Sequence, residues 1–212
     1  MRAMNAHKYW NRHAARYDRS MRVFGGPMPR ALDLTAEAVR GAEHVLEIAA
    51  GTGLVTERIA PVAARVTATD YAEGMVAALR SRVERAGLGN VTCLLADVHA
   101  LPFAPGTFDA VVAANVLHLL PDMDGALAAM VRAVRPGGVV VVPTFCHAET
   151  RLGGVVSRLL GLTGFPGARR LTVAGLVAAV EAAGVRVTTV ETIPGVFALG
   201  FVAGRTRDQS ST

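Results

Sequence analysis

Apolar positions along this chain fall into two alternating rhythms. VLEIA (45–49) is a short continuous apolar run broken only by Glu47, and beyond Gly51-Thr52-Gly53 the apolar residues Leu54, Val55 and Ile59 recur at helical spacing to about Ala60. RVTATD (65–70) reads as a second strand. Met75, Val76, Leu79 and Val83 then share one face of a helix over 72–86, which Gly87 stops. VTCLLAD (91–97) and FDAVVAAN (108–115) are a third and a fourth strand. Met123, Ala126, Leu127, Met130, Val131 and Val134 mark an amphipathic helix that Pro136-Gly137-Gly138 ends. VVVVPTF (139–145), apolar throughout, reads as a fifth strand buried on both faces. Thr172 is placed to cap a helix carrying Leu176, Val177 and Val180, closed by Gly184. VRVTTVE (185–191) and VFALGFVAG (196–204) follow with a hairpin-like separation.

Alternating strands and helices with short connections predict an α/β fold: a seven-stranded, mostly parallel sheet with helices on both faces and the last strand antiparallel. The organisation expected is an N-terminal helical lid segment over residues 1–40, a main domain over 41–204 and a polar tail over 205–212. Segment 146–170, rich in Gly, Arg and Leu, has no clear period.

Composition narrows the function classes. With 51% hydrophobic and 18% charged residues the chain can bury a substantial core. The net charge of +5 raises nucleic acid as a partner, but Lys8 is the one lysine, the arginines are scattered, and only Arg169-Arg170 are adjacent. That pattern argues against a nucleic-acid surface. Cys93 and Cys146 lie far apart outside any CxxC pair, which reads as reduced thiols and a cytoplasmic location. The N-terminus lacks the apolar core of a secretory signal, and no apolar run reaches the length of a spanning helix. No metal is expected.

The candidate chemistry begins at Glu47. Gly51-Thr52-Gly53 falls at the carboxyl end of the first strand, where open parallel sheets bind ligands. Glycines there admit a ligand close to the backbone, and the following helix presents free N–H groups. Phosphate would suit that helix end, but not beside Glu47. The GxGxxG spacing of dinucleotide enzymes is also missing, since GTGLVT ends in Thr56. An acid in this place suits a cationic ligand. Glu47 is expected to pair with loop N–H groups or with such a cation.

From about His44 to Phe145 the chain resembles the class I S-adenosylmethionine-dependent methyltransferases, whose fold is Rossmann-like. The family's E/D-x-G-x-G-x-G reads here Glu47-Ile-Ala49-Ala-Gly51-Thr-Gly53, with Ala49 in place of the first glycine and less room beside the methionine moiety. The resemblance implies S-adenosyl-L-methionine as cofactor, with Asp70 on the ribose hydroxyls and Asp97 on the adenine amine beside the Val98 N–H. It extends the cofactor set to Tyr17, Thr52, Gly53, Tyr71, Met75, Ala114 and Asn115. A helix N-cap is the other reading of Asp70, and a turn residue that of Asp97.

The acceptor side is expected from segments that vary between such enzymes. Tyr9, Trp10 and Tyr17 concentrate aromatics in a polar N-terminal stretch, as a lid or as a docked helix. His118, past the fourth strand, and His147, past the fifth, are the candidate catalytic or substrate-contacting residues; surface histidines are the alternative. ARYDRSMRVFGG resembles the quinone-biosynthesis methyltransferase group, whose relatives methylate phosphatidylethanolamine, arsenite or thiols. Two distant cysteines argue against the arsenite branch. The resemblance therefore implies methyl transfer by in-line displacement to a small, hydrophobic acceptor: a quinone-like ring carbon, phenol, amine or thiol. Peripheral membrane contact is expected where that acceptor is a lipid or quinone. Phosphatidylethanolamine N-methylation and a non-catalytic binding module are the alternatives, and a dehydrogenase fails on Glu47 and the missing third small residue.

Overall fold

A computed structural model of the protein describes Trp10, residues 26–150 and residues 169–207. Its centre is β1 (His44–Ile48), paired in parallel with β2 (Arg65–Asp70) on one side and β4 (Phe108–Ala113) on the other. β3 (Val91–Leu95) adds in parallel to β2, and β5 (Val134–Val141) to β4. The last strand, β8 (Ala198–Thr206), runs antiparallel to β5, to β6 (Thr144–Cys146) and to β7 (Val185–Ile193). The strand order reverses between β1 and β4, which creates a crevice at the carboxyl ends of those two strands.

Helices cover both faces, and the strand residues show why. Val45 and Leu46, Val111 and Val112, Val140 and Val141, and Phe201 and Val202 point alternately into two separate apolar clusters. One cluster takes residues of α1 (Met28–Ala38), α2 (Leu54–Ile59) and α3 (Glu73–Arg85); the other takes those of α4 (Met123–Ala133) and α5 (Val173–Ala182). Strands sandwiched this way must be apolar on both sides, which is the pattern VLEIA and VVVV carry.

Among the described residues the sheet has eight strands rather than the expected seven. The expected fifth strand is divided: β5 ends at Val141 and β6 begins at Thr144. Pro143 between them has no N–H to give to a ladder, and its carbonyl instead accepts from the Asn115 N–H at 2.7 Å. β5 also starts earlier than expected. Val134 pairs with Phe108, and the register shifts before Val139 pairs with Ala110, so Pro136-Gly137-Gly138 is an irregularity within the strand. Gly138 is required there, because a Cβ would lie 2.8 Å from the Asp109 carbonyl oxygen.

Candidate active site

The chain leaves β1 and enters α2 through Ala49-Ala50-Gly51-Thr52-Gly53, and the turn needs left-handed backbone at Ala49 (φ 53°), Gly51 (φ 58°) and Gly53 (φ 88°). The two glycines serve different ends. A Cβ on Gly53 would lie 2.7 Å from Leu79 Cδ1, so that glycine lets α3 pack against the loop. A Cβ on Gly51 would meet nothing within 4 Å among the described residues, so the space above it is open. Ala49 holds its positive φ without a glycine's freedom, at a cost of about 1–2 kcal/mol.

Glu47 points down from this loop and is 1% exposed. The Thr56 hydroxyl donates to its Oε2 at 2.5 Å, supported by the Thr56 backbone N–H. Burial pushes the carboxyl up to about 8, Thr56 opposes this, and the neighbouring Asp70 adds to it. Loop N–H groups are one expected partner for Glu47; the structure instead pairs it with Thr56, which lies on α2 beyond the loop. The residue that breaks the GxGxxG spacing is thus the one that satisfies the acid. The Thr69 hydroxyl completes the arrangement by donating to the Glu47 carbonyl at 3.0 Å.

Asp70, at the end of β2, is buried and bridges two elements. The Gly51 N–H donates to its Oδ2 and the Ala72 N–H to its Oδ1, each at 2.9 Å. It therefore joins the β1 loop to the turn before α3, whose N-cap residue is Ala72, which corrects the reading of Asp70 as a helix N-cap. Beside it Tyr71 is half-buried, and its hydroxyl is raised to about 12 by burial, then by Asp70 and Asp97. Asp97 is exposed and accepts from the His99 N–H at 2.9 Å, capping a short 3-10 turn over Val98–Ala100. The Val98 side chain packs into the core below, and Met75 is buried on α3. Leu95, 52% exposed, lies opposite Asp70 in the register of β3 with β2.

Ala114 and Asn115 follow β4. Asn115 is buried in a left-handed conformation (φ 54°), which asparagine tolerates better than most residues. Its Nδ2 donates to Met28 Sδ at 3.1 Å, and its Oδ1 has no partner among the described residues. His118 sits on the 3-10 turn Leu117–Leu119 and is 3% exposed, which excludes the alternative of a surface histidine. Its ring lies 5.1 Å from that of His147, which is likewise buried and lies 4.7 Å from Phe197. Burial, then the neighbouring His147, holds His118 down at about 3; burial, then Arg170, lowers His147. Both imidazoles are therefore uncharged at neutral pH. Tyr17, the rest of the aromatic N-terminal stretch except the half-buried Trp10, and residues 151–168 lie outside the described residues.

This donor set fits a cofactor with cationic and hydroxylated parts: open space over Gly51, carboxyl groups at the ends of β1 and β2 and beyond β3, and an Asn115 oxygen with no partner among the described residues. A family model described as a methyltransferase domain matches residues 46–142. A ubiquinone/menaquinone biosynthesis C-methyltransferase of Teredinibacter turnerae is 35% identical over 146 residues, 66% of this chain and 59% of that protein. A demethylmenaquinone methyltransferase of Thermus thermophilus is 37% identical over 154 residues, 69% of this chain and 68% of that protein. The chain belongs to the class I S-adenosylmethionine-dependent methyltransferases. It spans about half to six-tenths of the length of the first curated relatives it matches. The fold of this chain is shared with the N-methyltransferase NodS of Bradyrhizobium japonicum, solved with S-adenosyl-L-homocysteine, at a TM-score of 0.67 and 20% identity over 84% of this chain and 86% of that one. The methyltransferase match contains Glu47, the glycine loop, Asp70, Asp97, Asn115 and His118, whereas His147 falls beyond it.

Proposed function

We propose that the protein transfers a methyl group from S-adenosylmethionine to a small hydrophobic acceptor, with a quinone-like ring carbon as the first candidate. The observation that carries the reading is the grouping of Glu47, Asp70, Tyr71 and Asp97 around the open Gly51 loop at the switch between β1 and β4. In this reading Glu47, Ala49, Gly51, Thr52 and Gly53 serve the methionine end, and Asp70 and Tyr71 the ribose. Met75, Asp97 and Val98 serve the adenine, while Ala114, Asn115 and Tyr17 complete the set.

When bound, the cofactor would supply an electrophilic methyl on a sulfonium, the electron pair of the broken carbon–sulfur bond remaining on sulfur and the proton displaced from the acceptor atom passing to solvent. The protein's part is to orient and to exclude water. His118 and His147, with Phe145 and Phe197, form a buried cluster of rings, which in this reading backs the acceptor site and favours an apolar, ring-like acceptor. The relatives named for quinone biosynthesis support the same class. No described helix is long and apolar enough to cross a membrane. The reading places the protein in the cytoplasm, touching a membrane from its surface where the acceptor is a quinone.

Calorimetry with S-adenosylmethionine, followed by adenosylhomocysteine release with a demethylmenaquinone or with phosphatidylethanolamine vesicles, tests the proposal. Donor binding with turnover of the quinone precursor alone is expected. Absence of donor binding sinks the reading, and turnover of the vesicles alone moves the acceptor to a phospholipid.

A further inference from the structure

Asn115 Oδ1 and His118 Nδ1 are both buried and both without a hydrogen-bond partner among the described residues. Native interiors leave few such atoms, and each carries its desolvation penalty in full when nothing arrives to satisfy it. The two residues are separated only by Val116 and Leu117, and both follow the carboxyl end of β4, beside the reversal of strand order. That is where an open α/β sheet receives its ligand. The backbone at Asn115 is also held at positive φ, so its carboxamide is presented from a conformation the chain adopts at some cost.

The orientation of the Asn115 amide follows from its neighbour. A thioether sulfur accepts weakly and has no proton to give. Met28 Sδ therefore takes the Nδ2 side, at 3.1 Å, and the oxygen is the atom left over. His118 stays uncharged beside His147, so its ring offers one N–H and one lone pair.

We infer that Asn115 and His118 form an uncharged hydrogen-bonding pair that selects methyl acceptors carrying a neutral hydroxyl group. This rests on the methyl-transfer reading proposed above and assigns the Asn115 side chain to the acceptor rather than to the cofactor. A hydroxyl can donate to Asn115 Oδ1 while accepting from a His118 Nδ1–H. A carboxylate has no proton for Oδ1, and an ammonium has no lone pair for Nδ1–H. A methyl ether fails in a third way, since it accepts but cannot donate. Sites built around a hydroxyl reject analogues lacking it strongly, because their own buried polar atoms then stay unpaired.

The probes are 1,4-naphthohydroquinone, kept reduced under anaerobic conditions, and 1,4-dimethoxynaphthalene. Each is titrated calorimetrically into the full chain saturated with S-adenosylhomocysteine. The hydroquinone should bind at least roughly tenfold more tightly than the diether. His118→Phe, which keeps the ring volume, and Asn115→Gly, which tolerates the positive φ, should each remove most of that preference while leaving diether binding unchanged. His118→Phe should also melt no lower than wild type, which a purely structural histidine would not allow. Equal affinity for both probes, failure of both to bind, or a preference that survives in both variants overturns the inference. Failure of S-adenosylhomocysteine to bind in the first step overturns instead the methyl-transfer reading beneath it.

Discussion

Glu47 and His118 are both fully buried ionisable side chains, yet they move stability in opposite directions with pH. The folded Glu47 carboxyl sits at about 8, above its ordinary 4.5, so the native state holds the proton more tightly. Its contribution is complete below about pH 4.5 and is lost as pH rises through about 8. The folded His118 sits at about 3, below its ordinary 6.5, so the unfolded chain takes up the proton first. Its contribution is complete above about pH 6.5 and is lost as pH falls toward 3. Urea unfolding across pH should therefore show greatest stability between the two limbs, near pH 5–6.5. Glu47→Gln should flatten the alkaline limb and His118→Phe the acid one. An alkaline decline unchanged in Glu47→Gln would show that another group drives it. Ala49 supports a second residue-level expectation. Glycine accepts φ 53° freely but gains freedom in the unfolded chain, so Ala49→Gly should stabilise by about 0.5–1 kcal/mol net. A lower urea midpoint for Ala49→Gly would mean that the loop relaxes differently.

Among the elements, the contrast between Asp70 and Asp97 separates architecture from recognition. Asp70 ties the β1 loop to the start of α3 through two backbone N–H groups, and removing it leaves both without that partner. Asp70→Ala should cost about 2–3 kcal/mol of stability as well as donor affinity. Asp97→Asn keeps the oxygen that accepts from the His99 N–H on an exposed turn, so stability should change by less than about 0.5 kcal/mol while donor affinity falls. Chemical denaturation beside calorimetry checks both; donor affinity unchanged in Asp97→Asn removes it from the site. The strands around these acids were legible because runs such as VLEIA and FDAVVA face helices on both sides. Other features were not, because they depend on three-dimensional neighbours. The division of the fifth strand at Pro143 depends on β8 lying alongside, and the strand character of Pro136-Gly137-Gly138 on the approach of Asp109. Thr56 as the partner of Glu47 depends on how α2 folds back under the loop. The meeting of His118 with His147 and the orphaned Asn115 oxygen belong to the same class.

Across the whole molecule, the placement of β8 affects how the chain is made. β8 is the last of the described strands in sequence, yet it lies inside the sheet, between β7 on one side and β5 with β6 on the other. During synthesis, Val139–Val141 leave the ribosome long before Ala198–Thr206 exist to pair with them. A nascent chain therefore carries a bare apolar strand edge through most of its later translation, an invitation to pair with a neighbouring chain. The β7–β8 hairpin closes that edge in a single late event joining distant parts of the sequence, which makes it a natural bottleneck in folding speed. Chains stopped after residue 195 should pellet or be held by chaperones, whereas chains extended through Thr206 should be released in soluble form. Equal solubility of the two lengths in a translation extract would mean that the exposed edge is guarded some other way.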